Sequence, residues 1–201
     1  IDVYSMDDKK LYGERAYSLG FREAINRGLI CDYKIVIAVT GNTKLSDSST
    51  GANLMALKKA IQKVNARKII TYHSSISNAN TFTEDIIKSK MLSKYSCQHI
   101  SGRMAMSARS EIMDNFKNNE LAIISNARCL TEGIDVPSID MVAFLNPRTS
   151  KIDIVQAIGR TLRKHVNKKL VYIFLPVFLE ETEGDQEESI AVSKFSHIWD
   201  V

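Results

Sequence analysis

The sequence predicts a doubly wound α/β fold, in which a mainly parallel sheet carries helices on both faces. Several short runs are apolar almost throughout, a pattern typical of strands that are buried on both faces of such a sheet. The segments between these runs carry apolar residues at helical spacing. Strands that alternate with helices along a chain predict a doubly wound sheet. With 201 residues and 44% apolar content, the chain can bury a core of ordinary size.

The predicted elements begin with a short helix at residues 21–28. Five apolar runs then predict strands, at residues 33–39, 69–72, 121–124, 141–145 and 170–175. Three helical stripes lie between the strands: Leu54, Leu57, Ile61 and Val64; Phe82 and Ile86; and Ala108, Ile112 and Phe116. Ser107 is placed to cap the third of these helices.

Composition and charge exclude several classes of protein. No apolar run approaches the ~18 residues that span a bilayer, and the start of the chain lacks the features of a signal peptide. We therefore expect a soluble, cytoplasmic protein with no membrane partner. The three cysteines, Cys31, Cys97 and Cys129, are widely spaced and form no CxxC pair, which supports neither a disulfide framework nor a metal site. The net charge of +4 hides a basic stretch at residues 160–169, which suits a phosphate-bearing partner or is a solvated surface.

Three polar stretches are interpreted as loops that follow strands, at residues 73–75, 101–103 and 126–137. In a doubly wound sheet, ligands bind at the carboxyl ends of the strands, where loops and helix N-termini gather. The first two loops pair small polar residues with a following helix. Such residues present backbone N–H groups to a phosphate or merely cap the helix, and the sequence leaves both alternatives open.

The segment QAIGRTLRK, residues 156–164, predicts an amphipathic helix with a cationic side. At ~100° per residue, three polar positions fall within roughly 60° of one another: Gln156, Arg160 and Arg163. Three apolar positions cluster on the far side: Val155, Ile158 and Leu162. Gly159 costs a helix about 1 kcal/mol relative to alanine, which indicates close approach of another backbone or a ligand. The helix macrodipole would account for Arg163 but not for the whole set.

These residues resemble a known family. QAIGRTLR fits the Q-x-x-G-R-x-x-R pattern that closes the C-terminal RecA-like domain of superfamily 2 helicases, and TEGIDVPSID resembles the preceding motif. Upstream, KIITYHSSISNANTF resembles the strand and loop that open the same domain, and ISGRMAMSARSEIMDNFKNNELAIISNA resembles the segment that links these motifs. The resemblance covers residues 33–177 and extends to helicases related to restriction-enzyme motor subunits.

The resemblance implies three parts. Residues 1–32 would be the linker from a first RecA-like domain that lies upstream of Ile1, and residues 33–178 the C-terminal RecA-like domain. Residues 179–201 would be an acidic connector followed by the start of an amphipathic helix. Both ends therefore predict a piece of a longer protein.

The same resemblance implies ATP, with Mg²⁺, as the cofactor, bound mainly by the first RecA-like domain. Arg160 and Arg163 would be arginine fingers for the γ-phosphate, because a guanidinium stays charged and offers forked donors to phosphate oxygens. Gln156 would orient the attacking water or hold a phosphate oxygen. Three further positions would lie beside the nucleotide: Gly133, Asp135 and Gly159. For Asp135 the structural alternative is a turn residue ahead of Pro137.

The loops at the strand ends would hold the sugar–phosphate backbone of DNA or RNA. The implied contacts are Ser74, Ser75, Gly102, Arg103, Asn126, Arg128 and Thr131. Many members of the family place a threonine at the position of Ala127, and alanine cannot make that phosphate contact. Neighbouring polar residues, namely Asn126, Arg128 or Thr131, would have to replace it.

No G-x-x-x-x-G-K-S/T phosphate loop occurs in the 201 residues, although splitting ATP requires one together with an acidic residue for Mg²⁺. The resemblance places both in the first RecA-like domain, which would be the partner lobe of the same polypeptide. We therefore expect the second motor domain of an ATP-dependent helicase or translocase that is inactive as an isolated fragment.

Two alternatives come from other classes of protein. A non-catalytic RecA-like module for nucleic-acid binding or docking is favoured by Ala127 and by the missing phosphate loop. The retained set of Gln156, Gly159, Arg160 and Arg163 argues against it, because a binding module needs no paired fingers. A metabolic nucleotide-binding enzyme would carry G-x-G-x-x-G after a strand, and the sequence has none.

Overall fold

The computed structural model describes residues 8–14, 16–41, 50–127, 138–146, 150–166 and 168–179. The strands within these ranges are β1 Asp32–Gly41, β2 Lys68–Tyr72, β3 Ser96–Ser101, β4 Ala122–Ala127, β5 Met141–Phe144 and β6 Leu170–Leu179. The helices are α1 Lys9–Tyr12, α2 Phe21–Asn26, α3 Thr50–Val64, α4 Ile76–Ser89, α5 Met106–Asn118 and α6 Lys151–Thr161. None of the helices in this described part of the chain is long and apolar enough to cross a membrane.

The six strands form one sheet in the order β1-β6-β5-β2-β4-β3, and all neighbouring pairs are parallel. The predicted doubly wound α/β class is confirmed, and the described sheet is wholly parallel. Because every strand runs in the same direction, the loops that follow the strands gather at one edge, here called the carboxyl edge. The strands begin at the opposite edge, the amino edge.

Helices cover both faces of the sheet and define two apolar cores. α3 and α4 pack on one face, and α5 and α6 pack on the other. Successive residues of a strand point to opposite faces, so Ile69 and Ile123 join the first core whereas Ile70 and Ile124 join the second. This double burial explains why the strands read as unbroken apolar runs.

β3 is absent from the predicted strands because its sequence, SCQHIS, is largely polar. It lies at the end of the strand order and pairs with β4, and its first four residues are only partly buried. β3 is thus less enclosed than the central strands and lacks the apolar run on which the prediction depended, whereas β1, at the other end of the strand order, has one.

The helical stripes are buried as predicted in α3 and α4, but α5 differs. Phe116 of α5 is buried, whereas Ala108 is exposed. The predicted cap at Ser107 is wrong, because α5 begins at Met106 and its N-cap is Ala105, which makes no side-chain capping bond. A turn in which the Met104 N–H donates to the Ser101 carbonyl starts the helix earlier than the sequence suggested.

Part of the predicted linker packs against the domain. The short helix predicted at residues 21–28 is present as α2, and both Ala24 and Cys31 are buried. The ring of Phe21 meets that of Tyr33 edge to face, with 6.5 Å between their centroids. The acidic connector and the C-terminal helix predicted after β6 lie outside the described residues, as does Cys129.

Candidate functional site

The loop after β2 is held rigidly at the carboxyl edge by His73. Its N–H donates to the Asn126 carbonyl of β4 at 2.9 Å. Its ring is buried: Nε2 lies 2.9 Å from the Thr71 hydroxyl, and the ring packs against Phe82 with 4.9 Å between centroids. The direction in which the next residue leaves the sheet is therefore fixed by the core.

Ser74 and Ser75 follow His73 and retain donors that can face outward. The Ser75 hydroxyl caps α4 by accepting from the Asn78 N–H at 3.1 Å, so the capping alternative is correct for this residue. The Ser74 hydroxyl accepts from Asn78 Nδ2 at 2.9 Å, and the Ser74 N–H donates to Asn146 Oδ1 at 3.2 Å. A serine hydroxyl that accepts one bond still has its own proton to donate. Each hydroxyl can therefore accept its bond within the chain and also donate its own proton to an oxygen outside the chain.

The loop after β3 adds a cation to the same edge. Gly102 and Arg103 are exposed in the turn between β3 and α5. Because Ala105 has no capping side chain, α5 also begins without a side-chain acceptor for its first N–H groups. Arg103 and the start of α5 together make this edge favourable for an anion.

Asn126 occupies a different position from the other predicted contacts. Its side chain is fully buried at the end of β4, opposite Tyr72 of β2, and its carbonyl accepts the His73 N–H. Asn126 therefore supports the loop after β2 from inside the sheet. Ala127 is also buried. The remaining predicted residues of this region, Arg128, Thr131, Gly133 and Asp135, lie outside the described residues.

α6 starts at the carboxyl edge and is amphipathic, as predicted. Ser150 caps its N-terminus by accepting from the Asp153 N–H at 3.2 Å. The residues that bury it against the sheet are Ile154, Ala157, Ile158, Thr161 and Leu162. The prediction that Val155 packs is wrong, because Val155 is 40% exposed. Ile158 and Leu162 are buried as predicted, and the buried stripe extends from them to Ile154 and Ala157, which leaves Val155 at its margin.

The outer face of α6, defined by Gln156, Gly159, Arg160 and Arg163, points away from the sheet. Gln156 and Arg163 are exposed, and Gly159 and Arg160 are partly exposed. Arg163 lies just beyond the helix, since α6 ends at Thr161 and Leu162 forms its C-cap. Within the described parts of the chain, no carboxylate lies in ion-pair contact with Arg160.

Gly159 faces a side chain and not a backbone. A Cβ placed on this residue would lie 3.8 Å from Cε1 of Phe21, which is an ordinary van der Waals distance. The expected close approach of a backbone is therefore not found among the residues that the structure describes. The approach of a ligand at Gly159 stays a prediction.

The outer face and the loops at the carboxyl edge form two separate surfaces. α6 runs from the carboxyl edge to the amino edge, where the Leu162 carbonyl accepts from the N–H of Cys31, the residue before β1. Ten residues of helix separate Ser150 from Arg160, a rise of about 15 Å. The structure thus does not bring the two arginines together with Ser74, Ser75 and Arg103.

Donors from outside the helix hold its C-terminal end. Lys168 Nζ donates to the Thr161 carbonyl. The Cys31 thiol lies 3.7 Å from the Arg163 carbonyl and 3.4 Å from the Lys168 carbonyl. The last carbonyls of a helix have no partner within it, so the bond from Lys168 satisfies one that would otherwise depend on water, and the thiol contacts lie just beyond the helix.

Burial perturbs the charged groups near this end of α6. It lowers the pKa of Lys168 to about 8, and the nearby Cys31 and Asp140 oppose that shift. Burial also raises the pKa of Asp140, although hydrogen bonds from the N–H groups of Arg67 and Lys68 counteract the effect. The pKa of Lys68 is lowered, again chiefly by burial.

Sequence reasoning missed four residues: Asn78 and Asn146 at the carboxyl edge, and Cys31 and Lys168 at the C-terminal end of α6. Asn146 lies two residues after the end of β5, so the rule that found the other polar loops also applies to it. Cys31 and Lys168 carry no comparable signal, because only the folded chain brings residues so far apart in sequence to the end of α6.

A wholly parallel sheet with helices on both faces, polar loops at its carboxyl edge and an arginine-bearing helix beside it defines a RecA-like α/β domain of the superfamily 2 type. Residues 52–165, more than half of the 201-residue chain, match the family model described as the helicase conserved C-terminal domain. The chain belongs to this family. The predicted resemblance is thereby confirmed.

Comparison with individual proteins agrees with this assignment. The chain is 26% identical over 203 residues to a probable helicase of African swine fever virus, covering 96% of this chain and 23% of the relative. It resembles the structure of an ATP-dependent Type ISP restriction-modification enzyme bound to DNA, with a TM-score of 0.74 and 26% identity, over 97% of this chain and 15% of that one. Domain 2 of a DEAD-box helicase bound to an RNA duplex shares the fold, with a TM-score of 0.55 and 16% identity, over 78% of this chain and 66% of that one. The chain therefore spans about a quarter of the viral relative, at 23% of its length.

Proposed function

We propose that this chain is the second motor domain of an ATP-dependent nucleic-acid helicase or translocase. In this proposal, Arg160 and Arg163 are arginine fingers, and the loops at the carboxyl edge hold the sugar–phosphate backbone. The observation that carries the proposal is the outer face of α6. It directs Gln156 and Arg160 away from the sheet in a chain of the helicase C-terminal family.

The donors of the outer face fit the phosphates of ATP. Arg160 is partly exposed and has no carboxylate partner in the described part of the chain, so its forked donors are available for phosphate oxygens. Gln156 would hold an oxygen or the attacking water. When bound, ATP supplies the phosphoryl group whose transfer to water provides the free energy for movement. The resemblance to superfamily 2 helicases assigns ATP and its Mg²⁺ mainly to another domain.

The hydroxyls of Ser74 and Ser75, together with Gly102 and Arg103, would hold DNA or RNA through its backbone. Asn126 would keep the first loop in place from inside the sheet. Arg128 and Thr131 would add contacts, and Gly133 and Asp135 would lie beside the nucleotide. Contacts to phosphates carry no base information, so we expect binding that is insensitive to sequence and weakens steeply with salt.

A first RecA-like domain of the same polypeptide would supply the phosphate loop and the acidic residue for Mg²⁺. The division into a linker at 1–32, a motor domain at 33–178 and a connector at 179–201 belongs to this proposal. The isolated chain should then have negligible ATPase activity, because its fingers face no bound nucleotide.

The first prediction concerns Arg160→Ala in the full-length protein. Arginine fingers are worth ~10³–10⁵ in rate, so nucleic-acid-stimulated ATP hydrolysis should fall about 10³-fold while strand affinity stays within about twofold. Steady-state ATPase assays and fluorescence anisotropy measure the two quantities. Arg67→Ala is the matched control, because Arg67 is an exposed arginine paired with Glu120 at the amino edge, and hydrolysis should be unaffected.

Equal losses of hydrolysis and strand binding in Arg160→Ala would move Arg160 to the nucleic-acid surface. If Arg160→Ala reduces neither hydrolysis nor strand binding, the result would favour the alternative of a non-catalytic RecA-like binding module. Ala127 is the observation that supports this alternative. Either result would refute the finger assignment.

A further inference from the structure

The C-terminal end of α6 is fixed by a residue that neither the family pattern nor the proposed function uses. Lys168 lies two residues before β6 and reaches back to donate from Nζ to the Thr161 carbonyl. Thr161 is the last residue of the helix and directly follows Arg160. The Lys168 carbonyl in turn accepts from the Cys31 thiol at 3.4 Å, and the same thiol contacts the Arg163 carbonyl at 3.7 Å.

These contacts surround the segment that carries both arginines. The Arg163 N–H lies 3.5 Å from the Arg160 carbonyl, so the two residues share one turn of backbone. The Leu162 carbonyl between them accepts from the Cys31 N–H at 2.8 Å. If Thr161 shifts, the Cα atoms of both arginines shift with it. A misplacement of about 1 Å costs a catalytic group on the order of 10² in rate.

We propose that Lys168 is a positioning residue for the arginine fingers, whose ammonium holds the Thr161 carbonyl and thereby sets the spacing of Arg160 and Arg163. The inference rests on the proposed function of these two arginines. Lys168 acts through the backbone of α6 and does not itself contact the nucleotide.

The surroundings of Lys168 favour this role. An ammonium beside the last carbonyls of a helix is stabilised by the negative end of the helix dipole. The Cys31 thiol and the Asp140 carboxylate are the groups whose electrostatic influence raises the pKa of Lys168. Burial lowers its pKa to about 8, which still leaves Lys168 mainly protonated at neutral pH. The charge therefore persists in a half-buried position where a neutral side chain would be the less costly occupant.

Lys68 supplies a matched control. Its Nζ donates to the Lys117 carbonyl in the last turn of α5 at 2.5 Å, and burial lowers its pKa as well. Lys68 and Lys168 thus make the same contact at the same edge of the sheet and on the same face. They differ in the helix that they hold, because Arg160 lies on α6 and Arg163 just beyond its end, and neither lies on α5.

The test compares Lys168→Met, Lys168→Arg, Lys68→Met and Arg160→Ala in the full-length protein. Lys168→Met should lower kcat for nucleic-acid-stimulated ATP hydrolysis about 10-fold or more, with KM for ATP and strand affinity within about twofold. Lys168→Arg, which restores a charged donor, should return kcat to within about threefold of wild type. Lys68→Met should lower Tm by about as much as Lys168→Met does and should leave kcat unchanged.

A second readout works on folded protein if Lys168→Met proves unstable. Because arginine stays charged while the pKa of Lys168 is about 8, wild-type kcat should fall relative to Lys168→Arg as the pH rises from about 7 to about 9. A constant ratio across that range would overturn the proposal. Equal loss of kcat in Lys68→Met and Lys168→Met, or no rescue by arginine, would also overturn it.

Failure of this inference is distinguishable from failure of the proposed function. If Arg160→Ala abolishes hydrolysis and Lys168→Met does not, the arginine has its assigned role and Lys168 is only a structural residue. If Arg160→Ala leaves hydrolysis intact, the finger assignment itself is wrong and the positioning role falls with it.

Discussion

Gly159 lies on the outer face of α6, three residues after Gln156 and directly before Arg160. Glycine is about 1 kcal/mol less favourable than alanine in a helix interior, and the structure leaves ordinary van der Waals space for a methyl group beside Phe21. No contact within the described part of the chain therefore favours glycine at this position. The proposed approach of a nucleotide or a second lobe would account for this cost.

Gly159→Ala should separate stability from activity. We expect the free energy of unfolding of the 201-residue chain to rise by about 0.5–1 kcal/mol in denaturant titrations, because a helical glycine is replaced. In the full-length protein, the same change should lower nucleic-acid-stimulated hydrolysis about 10-fold, because the methyl group would intrude on the nucleotide or the partner lobe. The control is Gly51→Ala in the first turn of α3, where a Cβ meets open space and activity should be unchanged.

Full activity of Gly159→Ala, together with the gain in stability, would mean that no ligand approaches this side of α6. That result would remove Gly159 from the nucleotide site and would weaken the assignment of the whole outer face.

Individual residues show which parts of the candidate site could be predicted from the sequence. Gln156, Arg160 and Gly159 could be placed on one helical face because their spacing follows the period of an α-helix. Cys31 and Lys168 could not be found, because their contacts with the end of α6 depend on how β1 and β6 pair. A pattern within one helix is local, whereas the contacts that fix its end are not.

At the scale of the elements, burial on both faces decided which strands could be predicted. The central strands read as apolar runs because α3 and α4 cover one face and α5 and α6 the other. β3 lies at one end of the strand order and was not predicted, because its sequence is largely polar. The orientation of α6 relative to the loops also escaped, since a sequence shows which residues share a face but not where the helix ends in space.

The N-cap of α4 offers a prediction at this scale. Ser75 and Ser150 cap α4 and α6 in the same way, with distances of 3.1 Å and 3.2 Å to the N–H three residues on. Loss of a serine cap costs about 1 kcal/mol, so Ser75→Ala and Ser150→Ala should lower the free energy of unfolding about equally. Only Ser75→Ala should also weaken single-strand binding by the full-length protein, about 5-fold at low salt, because its hydroxyl would donate to a phosphate. Chemical denaturation and fluorescence anisotropy measure the two effects.

Unchanged strand affinity in Ser75→Ala would leave Ser75 as a helix cap and nothing more. Equal weakening by both substitutions would attribute the effect to helix stability, and the contact between Ser75 and the strand would then be rejected.

At the scale of the whole molecule, the domain presents two surfaces that its sheet keeps apart. The loops at the carboxyl edge would follow a nucleic-acid strand, and the outer face of α6 would meet the nucleotide held by another lobe. Their separation suits a motor. When the two lobes close on the nucleotide, the contacts with the strand can change without competition between the two ligands. The assignment of both surfaces to one RecA-like domain rests on the parallel sheet, whose connections set where each loop and helix lies.

The most direct test of this account is the distance between the arginines and a bound transition-state analogue. A cryo-electron microscopy structure of the full-length protein with ADP, aluminium fluoride, Mg²⁺ and a single strand would measure it. We predict that the guanidinium groups of Arg160 and Arg163 lie about 3 Å from the fluoride ligands, within hydrogen-bond distance, across a cleft between two lobes. Arginines that face the strand or the solvent in that state, while other residues surround the aluminium fluoride, would contradict the central claim.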